Sequence, residues 1–268
     1  MEIGRVNLVC NVAKESMSII RSAKTIAGYY KTSLLRRLIP NYRKSFDFSS
    51  EINHWEWVLS HLSELPADVR SDFQNRMNPE RLLQEPLATL IQSLPKPWRI
   101  LDIGCGPLST IGLRVGNEKI ELIGVDPLAD TYHNLLTDAA ITPNCQLIQS
   151  DCSDLAQRFA EQPFSMTCSI NALDHAIDPL GVIRQMAIVT ASGGYIFLRH
   201  AENEGIRERY QGLHQWNFSI QRGHPTISDG VTTRYLLDSL SDLVLKDAKH
   251  EVAEDTRYVV FLFQKRKT

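Results

Sequence analysis

The junction between a short apolar run and two glycines one residue apart is the feature that most limits the fold. Ile100, Leu101 and Ile103 form the run, and Gly104 and Gly106 follow it. Such a run is typical of a buried parallel strand, and glycines let the backbone turn sharply and approach a ligand closely. Ligands of open α/β sheets bind at the carboxyl ends of the strands. The junction therefore predicts a nucleotide-type pocket in an α/β protein.

The composition is that of a globular protein with a full core. The chain has 268 residues, of which 43% are hydrophobic and 22% charged. Its formal net charge of -2 argues against a protein that binds nucleic acid over much of its surface. No apolar run reaches the roughly 18 residues that span a bilayer, and the amino terminus does not resemble a secretory signal. Five scattered cysteines without a C-x-x-C pair favour reduced thiols in the cytoplasm over disulfides or a zinc site.

The first 97 residues predict a helical extension. Apolar residues recur at helical spacing over residues 19–38, and the first 44 residues contain nine Lys or Arg but only two Glu. This segment predicts a basic amphipathic helix. It could pack on the domain, close over the pocket as a lid, form a homodimer contact or bind an anionic surface. Further helices are predicted at residues 55–65 and 79–94.

After the glycine turn, the pattern alternates between strands and helices. Four further strands are predicted at residues 120–125, 146–149, 165–170 and 195–198. The helices between them are predicted at residues 107–115, 127–140, 154–160 and 179–189. Repeated βαβ units imply a parallel sheet with helices on both faces. A helix at residues 234–243 is predicted to precede two strands, 244–252 and 257–264, whose short connection requires antiparallel pairing.

The order of the motifs resembles the class I S-adenosylmethionine-dependent methyltransferases. The resemblance is carried by LDIGCG at residues 101–106, IGVDP at 123–127, SDC at 150–152, SINALDHAIDP at 169–179 and ASGGYIFL at 191–198. Five motifs in register are more specific than any one of them. The resemblance implies an α/β fold with a doubly wound, mixed seven-stranded sheet of the Rossmann-like methyltransferase type and an antiparallel C-terminal hairpin. Residues 1–97 would be a helical extension or lid, and residues 98–268 the methyltransferase domain.

The resemblance also implies how the cofactor S-adenosylmethionine is held. Asp102 and the backbone of Gly104 and Gly106 would hold its amino acid end, Asp126 its ribose hydroxyls and Asp151 its adenine amino group. The other residues expected to contact the cofactor are Cys105, Pro127, Cys152 and Asn171. Local alternatives stay open, because Asp126 could cap a helix, Asp151 could be a turn residue and the asparagine could cap a loop.

Methyl transfer requires alignment of donor and acceptor, and removal of a proton when the acceptor is a hydroxyl or a protonated amine. His175 is placed to take that proton, although it could instead pack over the cofactor. A polar insertion at about residues 200–231 is predicted to cover the active site and select the acceptor. His200, at the end of the fifth strand, is predicted to point toward the pocket mouth as a second catalytic residue. The residues expected to bind substrate are Asp174, Glu202, Glu204, His214 and Trp216.

A small-molecule acceptor such as a sugar, a glycan or a natural-product intermediate is therefore expected. No zinc site is expected from His200, His214 and His224, because no two of them are close in sequence. An NAD-dependent oxidoreductase remains an alternative, although Ser109 stands where a dinucleotide motif has its third glycine. A non-catalytic cofactor-binding protein is another. Nucleic acid is not expected as a partner, because the NALDH loop differs from the loops of base-flipping enzymes.

Overall fold

A computed structural model describes residues 48–253 and 255–267 of the chain. The basic helix predicted at residues 19–38, and any homodimer contact through it, lie outside the described residues. The described α-helices are α1 (Ser49–Ser60), α2 (Ala67–Arg76), α3 (Leu87–Gln92), α4 (Ala129–Asp138), α5 (Leu155–Phe159), α6 (Pro179–Val189) and α7 (Glu204–Arg207). The first six strands are β1 (Arg99–Ile103), β2 (Arg114–Val115), β3 (Glu118–Lys119), β4 (Glu121–Asp126), β5 (Gln146–Gln149) and β6 (Phe164–Ile170). The remaining strands are β7 (Thr190–Ala201), β8 (Asn217–Gln221), β9 (His224–Ser228), β10 (Thr233–Tyr235), β11 (Leu243–Ala253) and β12 (Thr256–Lys265).

The central sheet has seven strands in the order β11-β12-β7-β6-β1-β4-β5. The five strands from β7 to β5 pair in parallel, and β12 pairs antiparallel with both β7 and β11. This is the mixed seven-stranded sheet with the antiparallel C-terminal hairpin that the sequence predicts, and the Rossmann-like methyltransferase fold is confirmed. The carboxyl ends of β1, β4 and β6 meet at one edge, where the motif residues lie.

Both faces of the central sheet are buried. Side chains of a strand alternate between the faces, so Leu101 and Ile103 join one apolar cluster with α6, and Ile100 joins a second cluster with α3. Ile100 and Leu101 are fully buried. This two-sided burial explains why β1 is continuously apolar in the sequence, and it fixes the glycine turn at the end of a rigid strand.

Residues 107–115 do not form the predicted helix. The Ser109 hydroxyl donates to the Asp102 carboxylate and accepts the backbone N–H two residues further on. The Leu113 N–H donates to the carbonyl of Arg81, and the Arg114 carbonyl accepts the N–H of Leu83. The backbone groups that a helix would pair internally are therefore used by neighbouring segments, and residues 107–115 lead into the short β2–β3 hairpin instead.

Three other helix predictions need correction. Of the helix predicted at residues 79–94, only α3 is α-helical. The sequence patterns predict no helix where α2 lies. The segment 234–243 begins within β10, which pairs with β9, and continues as one 3-10 turn at Leu236–Ser239 rather than the predicted α-helix. The buried Leu236 and Leu240 anchor this turn in the core. In the part of the chain that the structure describes, every helix is too short or too polar to span a membrane.

The insertion after β7 is more ordered than its polarity suggests. It contains α7 and a three-stranded antiparallel sheet in the order β10-β9-β8. Trp216 and Phe218 from this insertion are buried in the same apolar cluster as α6. The insertion is therefore part of the folded domain, and it brings His214 to the edge where the motifs meet.

Candidate active site

A cavity of about 650 Å³ opens at the carboxyl ends of β1, β4 and β6. Glu51 and Trp55 of α1, and Phe48 just before it, form part of its wall. All the residues that the sequence predicted to contact the cofactor line this cavity, namely Asp102, Gly104, Cys105, Gly106, Asp126, Pro127, Asp151, Cys152 and Asn171. The structure thus brings the predicted set together, and their contacts with a ligand stay predictions.

The two glycines of the turn are required by the backbone. Gly104 has φ = +68° and Gly106 has φ = +63°, a region that side chains disfavour. A Cβ on Gly104 would overlap the Cβ of Ala172 in the loop after β6, and a Cβ on Gly106 would lie 3.5 Å from the Trp55 ring. The turn therefore lies directly against the neighbouring loop and α1. A Cβ at Gly104 would force the Ala172 loop to move, whereas a Cβ at Gly106 would meet Trp55 at an ordinary contact distance.

Asp126 connects the second motif to the glycine turn. Its Oδ2 accepts the Gly106 N–H at 3.1 Å, and its Oδ1 accepts the Leu128 N–H at 2.9 Å. The local capping role is therefore present. Each carboxylate oxygen can accept more than one hydrogen bond, so the residue retains acceptor capacity for the hydroxyls of a ribose. Burial raises the pKa of Asp126 to about 6.

Asp102 lies deeper, where its side chain is almost inaccessible. It is 3% exposed, and its Oδ2 accepts the Ser109 hydroxyl at 2.6 Å. Burial raises the pKa of Asp102 to about 7, although the hydrogen bond from Ser109 opposes this shift. A cationic group bound in the cavity would stabilise the charged form of this carboxylate.

Asp151 and Asn171 both show the local roles that the sequence left open. The Asp151 Oδ1 accepts the Ser153 N–H at 2.9 Å. The Asn171 Oδ1 accepts the Ala201 N–H at 2.9 Å, which ties the loop after β6 to the end of β7. Asn171 also has φ = +50°, a left-handed conformation that asparagine tolerates better than most residues. Its side chain therefore positions this loop beside the cavity.

Asp174, His175 and His214 form a group that we call the acceptor-side cluster. The His214 Nδ1 lies 2.7 Å from the Asp174 Oδ2 and 3.0 Å from the His175 Nε2. The Asp174 Oδ2 and the His175 Nε2 are 3.4 Å apart. His175 lines the cavity beside Ala172. The sequence singled out all three residues but missed that they meet, because His214 is 39 residues from His175 and reaches it only through the fold of the insertion.

The pKa values of the acceptor-side cluster are shifted from their ordinary values. Burial by itself would raise the pKa of Asp174, but the hydrogen bond with His214 and the nearby histidine charges lower it on balance. Burial lowers the pKa of His175. For His214 burial is outweighed by the Asp174 carboxylate, and its pKa is raised. Burial and the charge of Asp174 raise the pKa of the neighbouring Glu204 to about 7. The cluster is therefore a compact anionic and imidazole site at the edge of the cavity.

Three predicted acceptor-side residues lie elsewhere. His200 is 1% exposed and stacks on Phe218 with ring centroids 4.3 Å apart, so it does not point to the pocket mouth. Burial lowers its pKa to about 4. The Glu202 carboxylate pairs with Arg257 and His250 at the C-terminal hairpin. Trp216 is buried, and its Nε1–H donates to the carbonyl of Ala176. These three side chains hold the fold and do not line the cavity.

Comparison with known proteins identifies a family. A family model described as a methyltransferase domain matches residues 73–242, which is more than half of the chain. The match spans the glycine turn, the acceptor-side cluster and the whole insertion.

Curated relatives agree in class but match only in part. A ubiquinone biosynthesis O-methyltransferase from Proteus mirabilis (strain HI4320) is 30% identical over 153 residues, which are 55% of this chain and 58% of that protein. A protein of the same description from Vibrio vulnificus (strain YJ016) is 31% identical over 110 residues, covering 37% of this chain and 42% of that protein. The chain thus spans less than two thirds of the length of these relatives. A solved SAM-dependent methyltransferase from Methanosarcina mazei is also similar, with 17% identity, a TM-score of 0.48, and coverage of 70% of this chain and all (100%) of that one.

Proposed function

Since the chain belongs to the class I S-adenosylmethionine-dependent methyltransferases, we propose that it transfers the methyl group of S-adenosylmethionine to a hydroxyl group of a small molecule. The single observation that carries the proposal is the cavity in which the glycine turn, Asp126 and His175 face one space. The residues predicted to bind the cofactor and one member of the ionisable cluster, His175, thus line the same cavity, as a transfer between two bound molecules requires.

The cofactor half of the cavity is assigned by its hydrogen-bonding groups. Asp102 and the backbone of Gly104 and Gly106 would hold the amino acid end of the cofactor. Asp126 would accept the ribose hydroxyls, and Asp151, which is exposed at the cavity, would accept the adenine amino group. S-adenosylmethionine fits this set, because its ammonium and sulfonium cations suit buried carboxylates and its ribose diol suits a bidentate acceptor.

The acceptor half is assigned to the space beside His175. In the transfer, the acceptor oxygen forms a bond to the methyl carbon while the carbon–sulfur bond breaks and its electron pair stays on sulfur. The hydroxyl proton must leave before or during this step, to an imidazole of the cluster or to solvent water. His175 is the member of the acceptor-side cluster that lines the cavity, so the cluster would act on that hydroxyl through His175. Asp174 and His214 hold its ring through Nε2.

An oxygen acceptor is preferred over a nitrogen acceptor because of the relatives. Both curated relatives are described as O-methyltransferases. The chain aligns with less than two thirds of the length of these relatives, so their substrate is not assigned to it. The acceptor class proposed here is only a small molecule with a hydroxyl group. Self-association through the N-terminal segment and a cytoplasmic location stay predictions.

The proposal is tested with the full chain and a methyl-labelled cofactor. The purified protein is incubated with labelled S-adenosylmethionine and a panel of phenols, sugar alcohols and amines, and the products are analysed by mass spectrometry. We expect label on the oxygen of at least one hydroxyl acceptor. Label on amines alone would contradict the oxygen acceptor. Tight cofactor binding without transfer to any acceptor would instead favour a non-catalytic cofactor-binding protein.

A further inference from the structure

Three potential metal ligands converge beside the cavity. The Asp174 Oδ2, His175 Nε2 and His214 Nδ1 atoms lie within 4.8 Å of one another. Their separations of 2.7, 3.0 and 3.4 Å bracket the roughly 2.8–3.1 Å between adjacent ligand atoms of an octahedral cation with bonds of about 2.0–2.2 Å. The two shorter separations fall below the roughly 3.3–3.6 Å of a tetrahedral cation, so the side chains would move apart by less than about 1 Å to hold tetrahedral zinc. We propose that the acceptor-side cluster binds a divalent transition-metal cation such as zinc.

The hydrogen bonds within the cluster do not satisfy all three atoms well. The His214 Nδ1 is in contact with both Asp174 and His175, but an imidazole nitrogen carries at most one hydrogen. If that hydrogen is donated to the Asp174 carboxylate, the His175 Nε2 at 3.0 Å either shares it or faces it with a hydrogen of its own. A cation placed between the three atoms would accept a lone pair from each of them, and it would replace the shared hydrogen.

The burial of Asp174 is a second, independent observation. This side chain is 1% exposed, and its Oδ1 has no hydrogen-bond partner among the described residues. A buried carboxylate is costly unless it is paired or coordinates a metal. Two partly exposed imidazoles are its close neighbours, and a divalent cation would compensate its charge more fully. The second carboxylate oxygen would then be available for bidentate coordination.

The ligand set indicates the class of cation. Two imidazoles and one carboxylate suit zinc and iron(II) better than magnesium or calcium, which prefer oxygen ligands. Three protein ligands with an open position are typical of catalytic zinc, whereas structural zinc is usually held by four. His175 lines the cavity, and the open position would therefore be reached from the space assigned to the acceptor.

This inference rests on the proposed function and specifies how the acceptor is activated. An acceptor hydroxyl bound to the cation would lose its proton more readily, because the cation stabilises the resulting anion. That proton would pass to bulk water, and the oxygen would then attack the methyl carbon as described above. The favoured acceptors would be molecules whose hydroxyl oxygen can coordinate a metal.

The experiment measures metal binding directly. The full chain is stripped with a chelator and titrated with Zn²⁺ by calorimetry, and the absorption spectrum is recorded after loading with Co²⁺. We expect one equivalent of Zn²⁺ per chain and a Co²⁺ spectrum without thiolate charge-transfer bands. His214→Ala and Asp174→Asn should each weaken Zn²⁺ binding at least tenfold. His224→Ala, which changes an exposed histidine at the start of β9, is the matched control and should leave it unchanged.

The outcomes separate this inference from the proposed function. No stoichiometric Zn²⁺ binding by the wild-type chain would overturn the metal site, as would thiolate bands in the Co²⁺ spectrum or unchanged binding in both cluster variants. S-adenosylhomocysteine affinity is measured on the same samples, and it also reports whether each variant is folded. If that cofactor product binds while Zn²⁺ does not, only the metal site fails. If S-adenosylhomocysteine does not bind the wild type, the proposed function fails.

Discussion

The Oδ2 atom of Asp126 accepts a hydrogen bond from the backbone N–H of Gly106 at 3.1 Å, and this contact links the carboxyl end of β4 to the turn after β1. The other oxygen of Asp126 holds the N–H of Leu128 ahead of α4. One carboxylate therefore fixes two backbone segments that border the cavity. A change at this residue should affect the shape of the turn together with any direct contact to a ribose.

Asp126→Ala should weaken the binding of S-adenosylhomocysteine by about 1.5–3 kcal/mol, the usual loss for hydrogen bonds to a charged group. The loss has two sources, the ribose hydroxyls and the freed Gly106 N–H. Calorimetry measures it. Asp130→Ala, which changes an exposed carboxylate in the first turn of α4, should bind like the wild type. Unchanged affinity in Asp126→Ala would refute the ribose assignment.

Gly104→Ala should destabilise the fold more than Gly116→Ala. Both glycines have positive φ, so each substitution costs about 1–2 kcal/mol of backbone strain. Only Gly104 also lies against Ala172, and the overlap of two Cβ atoms adds roughly 1–3 kcal/mol of overpacking. Nothing lies within 4 Å of a Cβ at Gly116. Denaturant unfolding of the two variants tests this difference, and equal losses of stability would contradict the close contact at the turn.

Binding of S-adenosylmethionine should release protons near pH 7. Burial raises the pKa of Asp102 to about 7 in the free protein, so the carboxyl group is about half protonated at that pH. The cationic groups of the cofactor favour the charged carboxylate and lower its pKa, and the proton is lost to the buffer. Calorimetry at pH 7 in two buffers of different ionisation enthalpy measures the release.

Asp102→Asn is the control for this proton release. The side chain keeps its size and an oxygen acceptor for the Ser109 hydroxyl, but it no longer titrates. The binding enthalpy of the variant should depend much less on the buffer. Asp126, whose pKa is raised to about 6, accounts for any small buffer dependence that remains in the variant. Equal buffer dependence in the two proteins would show that the released protons come from other groups.

His175→Ala should lower the turnover at least tenfold on an acceptor found by the panel, because the cluster would lose its contact with the acceptor. The affinity for S-adenosylhomocysteine should stay within about twofold of the wild type, since Asp102, Asp126 and the glycine turn are unchanged. His133→Ala, at an exposed position of α4, should leave both quantities unaltered. A wild-type rate in His175→Ala would remove the cluster from the reaction, and a large loss of affinity would make His175 a cofactor-packing residue.

The central sheet could be predicted from the sequence because its signals are local. The apolar run of β1 is buried on both faces, and the glycines follow the strand directly. The predicted strand at residues 146–149 and the predicted helix at residues 179–189 coincide with β5 and α6. Each of these elements depends mainly on its own residues and on one repeated packing rule of α/β proteins.

The direction of His200 could have been predicted but was not. Side chains along β7 alternate between the two faces of the sheet, and His200 follows Ile196 and Leu198 at steps of two. Ile196 and Leu198 are both fully buried in the apolar cluster that contains α6. The period of the strand therefore predicts a buried histidine, and its polarity and position at the strand end were misleading.

Other features depend on tertiary contacts and could not be predicted from local sequence patterns. In the sequence, Ser109 stands in place of a third glycine, but its hydrogen bond to Asp102 is a tertiary contact. The hydrogen bonds between residues 113–114 and residues 81–83 are also tertiary contacts. The approach of His214 to Asp174 depends on the fold of the whole insertion. The spacing of histidines along the chain cannot reveal a ligand set that the fold assembles from two distant segments.

The central claim is that the glycine turn and the carboxylates around it bind a methyl donor rather than a dinucleotide. The most direct measurement is calorimetric titration of the full chain with S-adenosylhomocysteine and, separately, with NADH. The account predicts saturable binding of one S-adenosylhomocysteine per chain, weakened by Asp126→Ala, and no measurable binding of NADH. Saturable binding of NADH without binding of S-adenosylhomocysteine would contradict it.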